Sequence, residues 1–385
     1  MAEKFDIAVI GAGPAGSMAA WSAALTGRRV CLLERKENAG VPVRCGEGIG
    51  AKGLAVSVKV KPEWIKSTVT KSVMVSPSGI KVKIANVDES YILDRERMDG
   101  DLVKEAVSAG VKYFNTFPVL SICRRKNGYE CSGPSRSVTA SIVILADGVE
   151  SRLARFGGWD TSLALSDVES CAFTRVFSPL IEQDTCVFYT GSSVAPGGYA
   201  WVFPRGAGEA NVGLGIIGSR SEAGLAVKKL KEFIDREFPG MRFGEIHSGG
   251  VPVKKWVRPL AKDGIMLVGD AARQVNCISG AGIGYALFAG KLCGRIAGEA
   301  VKGDMIDYDH LREYEKIWKK TYGKQQNRSF ALKEFVINHA DDRFLDRVAN
   351  ALCKEKPEKM NYMRVFARAF AHNPILLFKA FKLFG

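Results

Sequence analysis

Phe5-Asp-Ile-Ala-Val-Ile-Gly-Ala-Gly-Pro-Ala-Gly16, followed by Arg29-Val-Cys-Leu-Leu-Glu34, is the stretch that decides the fold. Residues 5–10 are apolar, short and closed by glycine, the pattern of a strand buried in a parallel sheet. Pro14 suits a first helical turn, where its missing N–H costs nothing. Small and apolar residues continue the helix to Leu25, and Gly27 stops it. Residues 29–34 supply a second strand that ends on an acid. Gly11, Gly13 and Gly16 then divide three tasks: a tight turn, close approach of backbone to a pyrophosphate, and close packing of helix on strand. The helix N-terminus turns N–H groups and a positive dipole end toward the diphosphate. Glu34 lies where an acid accepts hydrogen bonds from the adenosine ribose. The strand–turn–helix–strand setting, more than the glycine spacing, predicts a dinucleotide site.

A second glycine signature lies far downstream, where Gly269-Asp270-Ala-Ala follows the strand-like residues 265–268 and leads to Gly280-Ala-Gly282-Ile283. Two signatures so far apart suit a ligand held at both ends, and flavin adenine dinucleotide is long enough. Asp270 at a strand end is placed to accept hydrogen bonds from the ribityl chain. A helix starting near Gly282 would aim its N–H groups at the flavin's pyrimidine edge. Asp270 also reads as a helix N-cap, and the two roles are compatible.

Between the signatures the patterning changes. Residues 72–76 and 80–84 read as strands, 98–109 as a helix, and 138–146 as a strand running into Asp147-Gly148. Strand patterns dominate 171–217, with runs at 186–189, 199–203 and 210–216; a helix follows over 221–238. Residues 283–301 form a long helix rich in small residues, and from Asp307 onward nearly everything is helical. The predicted fold class is α/β. A Rossmann-like FAD-binding domain (1–75, 95–165 and 255–305) interleaves with an antiparallel-sheet substrate domain (76–94 and 166–254), and 306–385 form a helical C-terminal region.

Bulk properties set the bounds. The 385 residues exceed the ~250–300 at which a single core usually splits. Nine cysteines show neither a disulfide framework nor paired metal-ligand spacing, so no metal is expected and a reducing cytoplasm is the simplest setting. The first strand begins at Phe5, leaving no room for a signal peptide, and no segment approaches the ~18 apolar residues of a membrane span. The net charge of +14 is spread along the chain, without zinc-finger spacing or an RNA-binding aromatic signature. That argues against nucleic acid and leaves an anionic membrane surface open.

With these residues in place, the chain resembles flavoproteins of the geranylgeranyl reductase family, within the aromatic-hydroxylase-like FAD fold. Over roughly residues 1–330 the motifs run in order. The 11–16 turn with Glu34 is followed by Pro42-Val-Arg-Cys-Gly-Glu-Gly48, then by Leu93-Asp-Arg95 with Met98-Asp99. Asp147-Gly148 with Ser151 comes next, then Pro196-Gly-Gly-Tyr-Ala-Trp-Val-Phe-Pro204 and the second glycine signature. Cys-Gly-Glu-Gly and Tyr-x-Trp-x-Phe-Pro are the discriminating motifs.

The resemblance implies FAD contacts at Ala15, Glu34, Cys45, Gly46, Gly48, Arg95, Asp270, Gly282 and Ile283, with one near Val119 by spacing alone. Gly11, Gly13, Gly16, Arg35 and Asp147 complete the candidate cofactor set. Arg95 would pair with phosphate oxygens, unless it is a surface arginine of the charged run 94–97. The implied reaction saturates geranylgeranyl double bonds of lipids or prenyl diphosphates by hydride from reduced flavin plus a proton, with NADPH or a ferredoxin as electron donor. Cys45 either tunes the proton step or is a buried structural thiol.

Tyr199, Trp201 and Phe203 alternate along a strand and share one face. Spacing alone reads as sheet core; the family signature makes them the wall of an isoprenoid tunnel. Where the family often has glycine, proline and glycine, this chain has Arg273, Cys277 and Ala281, two of them expected near the flavin ring. A flavin monooxygenase or halogenase is the rival reading, although halogenases carry Trp-x-Trp-x-Ile-Pro where this chain has residues 199–204. A non-catalytic flavoprotein is another. Finally, a short helix from Pro374 to Phe384, with Phe378, Phe381, Lys379 and Lys382, would either lie on a membrane or dock on the core.

Overall fold

The computed structural model describes residues 2–84 and 88–354; the amphipathic helix expected at 374–384 lies outside the described residues. Glu3–Ile10 is the centre of a largely parallel sheet, flanked by Ser137–Leu145 and Val30–Leu33. Ile265–Leu267 and Lys112–Phe114 extend it in parallel. Successive residues Ile7, Ala8 and Val9 are all fully buried, so both faces of this strand are covered and the run is apolar throughout. Pro14–Ala24 packs against both Arg95–Ser108 and Ile283–Lys302. The contact with the long helix is backbone-close: a Cβ added at Gly290 would lie 2.3 Å from the Ala15 carbonyl oxygen, and one at Gly294 2.1 Å from that of Ala19.

The second sheet places Val168–Phe177, Glu209–Ile217, Tyr199–Gly206 and Thr185–Thr190 side by side, each antiparallel to the next. Lys71–Val75 joins it in parallel and Lys81–Ile84 pairs antiparallel, so this sheet begins ahead of residue 76. Gly48–Gly50, Ser90–Leu93 and Ile65–Val69 form a separate three-stranded sheet, two strands of which pack against Tyr199–Gly206. Along the second sheet the alternation of side chains separates two surfaces. Ala200, Val202, Val212 and Leu214 cluster with Leu230 and Phe233 of the helix Leu225–Glu237. Phe173 and Trp201 form a different cluster on the other surface. The helix predicted over 221–238 starts only at Leu225, because a 3-10 turn at Gly218–Arg220 precedes it and Gly224 takes φ 80°.

Helices Tyr308–Trp318, Lys324–His339 and Asp342–Cys353 follow. Leu311, Tyr314 and Trp318 enter the core of the parallel sheet. Lys333 ties the second of these helices to the junction of the sheets, donating to the Ser166 and Val253 carbonyl oxygens at 2.9 Å each. Among the described residues no His, Cys, Asp and Glu cluster could hold a metal, and no helix is long and apolar enough to cross a membrane.

Candidate functional site

A cavity of about 470 Å³ runs between the two large sheets. One end is the glycine turn. Gly11 has φ 100°, and a Cβ there would meet the Ala146 carbonyl oxygen at 2.3 Å, while one at Gly16 would lie 1.8 Å from the Gly11 carbonyl oxygen. Gly13 and Gly16 both line the cavity, but a Cβ added at Gly13 would meet nothing within 4 Å. The helix beginning at Pro14 has no side-chain cap, so its first N–H groups are left for another acceptor. Glu34 is locked beside this turn, its two carboxylate oxygens accepting from the Ala12 N–H at 2.8 Å and the Lys36 N–H at 2.9 Å. Arg35 is exposed, and Val119 packs on the parallel-sheet core. Glu34, Arg35, Val119 and Asp147 all stand outside the cavity lining.

The second signature reaches the same cavity. Asp270 lies in the turn Gly269–Ala272, where its carbonyl oxygen accepts from the Arg273 N–H at 2.9 Å, while its carboxylate has no hydrogen-bond partner among the described residues. Burial pushes its carboxyl up to about 6, with the Arg95 charge pulling the other way. The N-cap role is not taken, since no side chain caps either that turn or the helix Ile283–Lys302. Gly282 and Ile283 present this second uncapped helix start to the cavity. Asp147 accepts from the Leu153 N–H at 3.1 Å through one oxygen, while its other oxygen is buried without a partner. Two uncapped helix starts and the unpartnered Asp270 carboxylate on this cavity fit a ligand that carries a diphosphate and a row of hydroxyl donors, as a flavin dinucleotide does.

Arg95 is not a surface residue. Its side chain is 12% exposed and forks onto Asp99, with Nε and Nη2 each donating at 2.8 Å. Burial works against its charge, but Asp99, Cys45 and Glu47 outweigh it and raise its pKa. The fork on Asp99 uses one N–H each of Nε and Nη2 and leaves Nη1 without a hydrogen-bond partner among the described residues.

Sequence reasoning missed what holds the Cys45 loop in place. Glu47, at φ 69°, is 1% exposed and sits between two strand arginines. Arg205 Nη1 donates to its carboxylate at 2.5 Å, Arg175 donates to both oxygens, and Asn211 Nδ2 donates at 3.1 Å. Asn211 also donates to the Cys45 carbonyl oxygen at 3.0 Å and accepts from Trp201 Nε1 at 3.0 Å. One polar network therefore joins the loop to the aromatic strand. The available signal was two arginines inside otherwise apolar strand runs. The Cys45 thiol accepts from the Glu47 N–H at 3.2 Å, and burial raises its pKa against the pull of Arg95, so it stays protonated at neutral pH.

Tyr199, Trp201 and Phe203 all line the cavity, with ring centroids 6.0 and 6.1 Å apart along the strand. Phe188 closes against the first and last of them at 5.7 and 5.4 Å. A Cβ at Gly46 or Gly48 would lie 3.3 Å from the Phe203 ring, so the loop glycines let backbone approach the aromatic face. Neither Arg273 nor Cys277, expected near the flavin ring, lines the cavity. Arg273 takes φ 59° and donates to the Ser162 carbonyl oxygen at 3.1 Å. Cys277 is fully buried with Ile217 and Val253. Of the three departures only Ala281 faces the cavity.

Comparison with known proteins matches residues 167–251 to the geranylgeranyl reductase catalytic domain and residues 9–73 to an NAD(P)-binding Rossmann-like domain. The chain is 40% identical over 396 residues to the digeranylgeranylglycerophospholipid reductase of Methanosarcina mazei, covering 100% of this chain and 97% of that protein. The crystal structure of a geranylgeranyl bacteriochlorophyll reductase-like protein from Thermoplasma acidophilum matches with a TM-score of 0.90 at 29% identity, covering all of both chains. A mutant of the halogenase PltM, solved in complex with FAD, matches with a TM-score of 0.69 at 14% identity over 98% of this chain and 85% of that one. At that identity the likeness is one of fold.

Proposed function

The chain belongs to the digeranylgeranylglycerophospholipid reductase family, and from that premise we propose that it saturates the C=C bonds of geranylgeranyl chains on a glycerophospholipid, with FAD as cofactor. The observation that carries this reading is the meeting, in one cavity, of the two glycine signatures, the Cys45 loop and the aromatic strand. Gly11, Gly13, Ala15 and Gly16 would hold the diphosphate, with Glu34, Arg35 and Val119 toward the adenosine. Asp147, Asp270, Gly282 and Ile283 would hold the flavin end, beside Cys45, Gly46, Gly48 and Arg95. Bound and reduced, FAD supplies the hydride.

The chain's own residues do the rest. Tyr199, Trp201 and Phe203 would orient the alkene and exclude water, which an unpolarised double bond requires. The two rings that carry a polar group keep it engaged elsewhere: Tyr199 Oη donates to the Ser279 carbonyl oxygen at 2.6 Å and Trp201 Nε1 to Asn211. The inner face they offer is accordingly apolar. Cys45 holds a proton at Sγ within the same cavity. The electron donor would be NADPH or a ferredoxin, and the net charge of +14 suits an enzyme working at an anionic lipid surface on the cytoplasmic side.

Anaerobic mixing of the reduced holoenzyme with digeranylgeranylglycerophospholipid in mixed micelles tests the reading. Flavin absorbance should return while mass spectrometry finds two hydrogens added per bond. A product that forms only when oxygen is admitted would instead favour the monooxygenase reading. Cys45→Ser should keep FAD, and a turnover slowed roughly tenfold or more would give the thiol a part in positioning the reactants beyond packing. An unchanged rate would reduce Cys45 to packing.

A further inference from the structure

Glu169 stands near the start of the strand Val168–Phe177, two residues before Cys171, and both line the cavity. It is 6% exposed, and its carboxyl has no hydrogen-bond partner among the described residues. Unpartnered carboxyls are rarely left in such places, because burial without compensation costs free energy. Its position is defined by two glycines. A Cβ added at Gly215 would lie 3.1 Å from Glu169 Oε2, and one at Gly280 would lie 3.9 Å from it. Gly215 is register partner to both Cys171 and Tyr199, and Gly280 belongs to the second glycine signature. The carboxyl thus sits where the aromatic wall meets the flavin-side loop.

We propose that Glu169 is the acid that protonates the alkene carbon opposite the one that receives hydride, an inference that rests on the reductase reading above. The carboxyl O–H bond breaks and its proton forms one new C–H bond. The hydride, carrying two electrons, forms the other as the π bond is lost. Solvent then returns a proton to the carboxylate.

The neighbouring groups favour this assignment. Burial pushes the Glu169 carboxyl up to about 7, with Lys333 pulling it down. Lys333 gives its protons elsewhere, to Ser166, Val253 and Glu334. Tyr199 and the thiols of Cys171 and Cys45 are all raised by burial, and burial pushes Cys277 up to about 11. None of those four exchanges a proton readily near neutrality. Asp270 does, but it lies beside Gly282 and the charge of Arg95.

Glu169→Gln keeps the shape and removes the acid. In anaerobic single turnovers of the dithionite-reduced holoenzyme with digeranylgeranylglycerophospholipid in mixed micelles, wild type should lose rate as pH rises above about 7. Glu169→Gln should be slower by about 10²–10⁴-fold and lack that pH limb, with FAD content and lipid affinity unchanged. A second readout needs no turnover. The folded protein keeps this proton to a higher pH than the unfolded chain, so the carboxyl's stabilising contribution is full below its ordinary 4.5 and lost as pH rises through about 7. Wild-type Tm should therefore fall relative to Glu169→Gln across that window. If the glutamine variant does not retain FAD, Glu169→Asp should keep partial rate with the pH limb intact. A glutamine variant as fast as wild type, an aspartate variant without the limb, or parallel melting curves would overturn the assignment. Wild type that leaves the lipid unsaturated would overturn the reductase reading itself.

Discussion

Glu47→Ala is expected to destabilise the protein by about 3–5 kcal/mol and to release FAD, the usual cost of breaking a buried ion pair from one side. Among the described residues the carboxylate is the only acid in contact with Arg175 and Arg205 apart from the partly buried Glu209, which Arg205 Nε reaches at 3.0 Å. Removing it strands Arg205, whose side chain is 7% exposed, with that one acid and the Leu93 carbonyl oxygen. Glu47→Gln keeps an acceptor and should fall between wild type and alanine. Replacing the whole triad by Glu47→Leu, Arg175→Met and Arg205→Leu should cost less than Glu47→Ala alone, since no charge is then left buried. Thermal melting with flavin absorbance reads both effects. An alanine variant that melts with wild type and keeps its flavin would show that the loop does not depend on this network.

Gly16→Ala should likewise lose both fold stability and FAD. Its methyl would lie 1.8 Å from the Gly11 carbonyl oxygen and 3.0 Å from Ala146 Cβ. The nearer obstacle is backbone, so no rotamer relieves it and the helix must lift from the strand. Overpacking of this kind costs ~1–3 kcal/mol or more. Gly13→Ala is the informative partner. With φ −72° and nothing within 4 Å of an added Cβ, it should fold and melt as the FAD-free wild type does. The methyl would nonetheless stand in the proposed diphosphate site, so FAD retention should fall steeply. A Gly13→Ala variant that binds FAD normally would move the diphosphate away from this turn.

Much of this was legible in advance because it is local. The apolar run at 5–10, the glycine turn and the acid at 34 occupy consecutive elements, and each element's period shows in its own residues. The alternation of Tyr199, Trp201 and Phe203 was equally local, and all three do face the cavity. The start of the helix at Leu225 was less visible, because Gly218–Arg220 forms its own short turn there. Arg273 and Cys277 were less legible for a different reason. Their place in the motif suggested the flavin, but a left-handed residue at Arg273 turns the chain, and Cys277 packs into an apolar cluster.

The sequence by itself thus determined a parallel dinucleotide sheet, an inserted antiparallel sheet and the residues where two glycine signatures would meet a ligand. Tertiary structure alone decided which charges are paired. Glu47 meets Arg205 across 158 positions of chain and Arg175 across 128, and neither strand carries a mark of its partner. Glu169 is distinguished by a buried carboxyl that lacks a partner beside Gly215 of the aromatic wall and Gly280 of the second signature. That is a property of what surrounds a residue after folding, and no spacing in the chain encodes it.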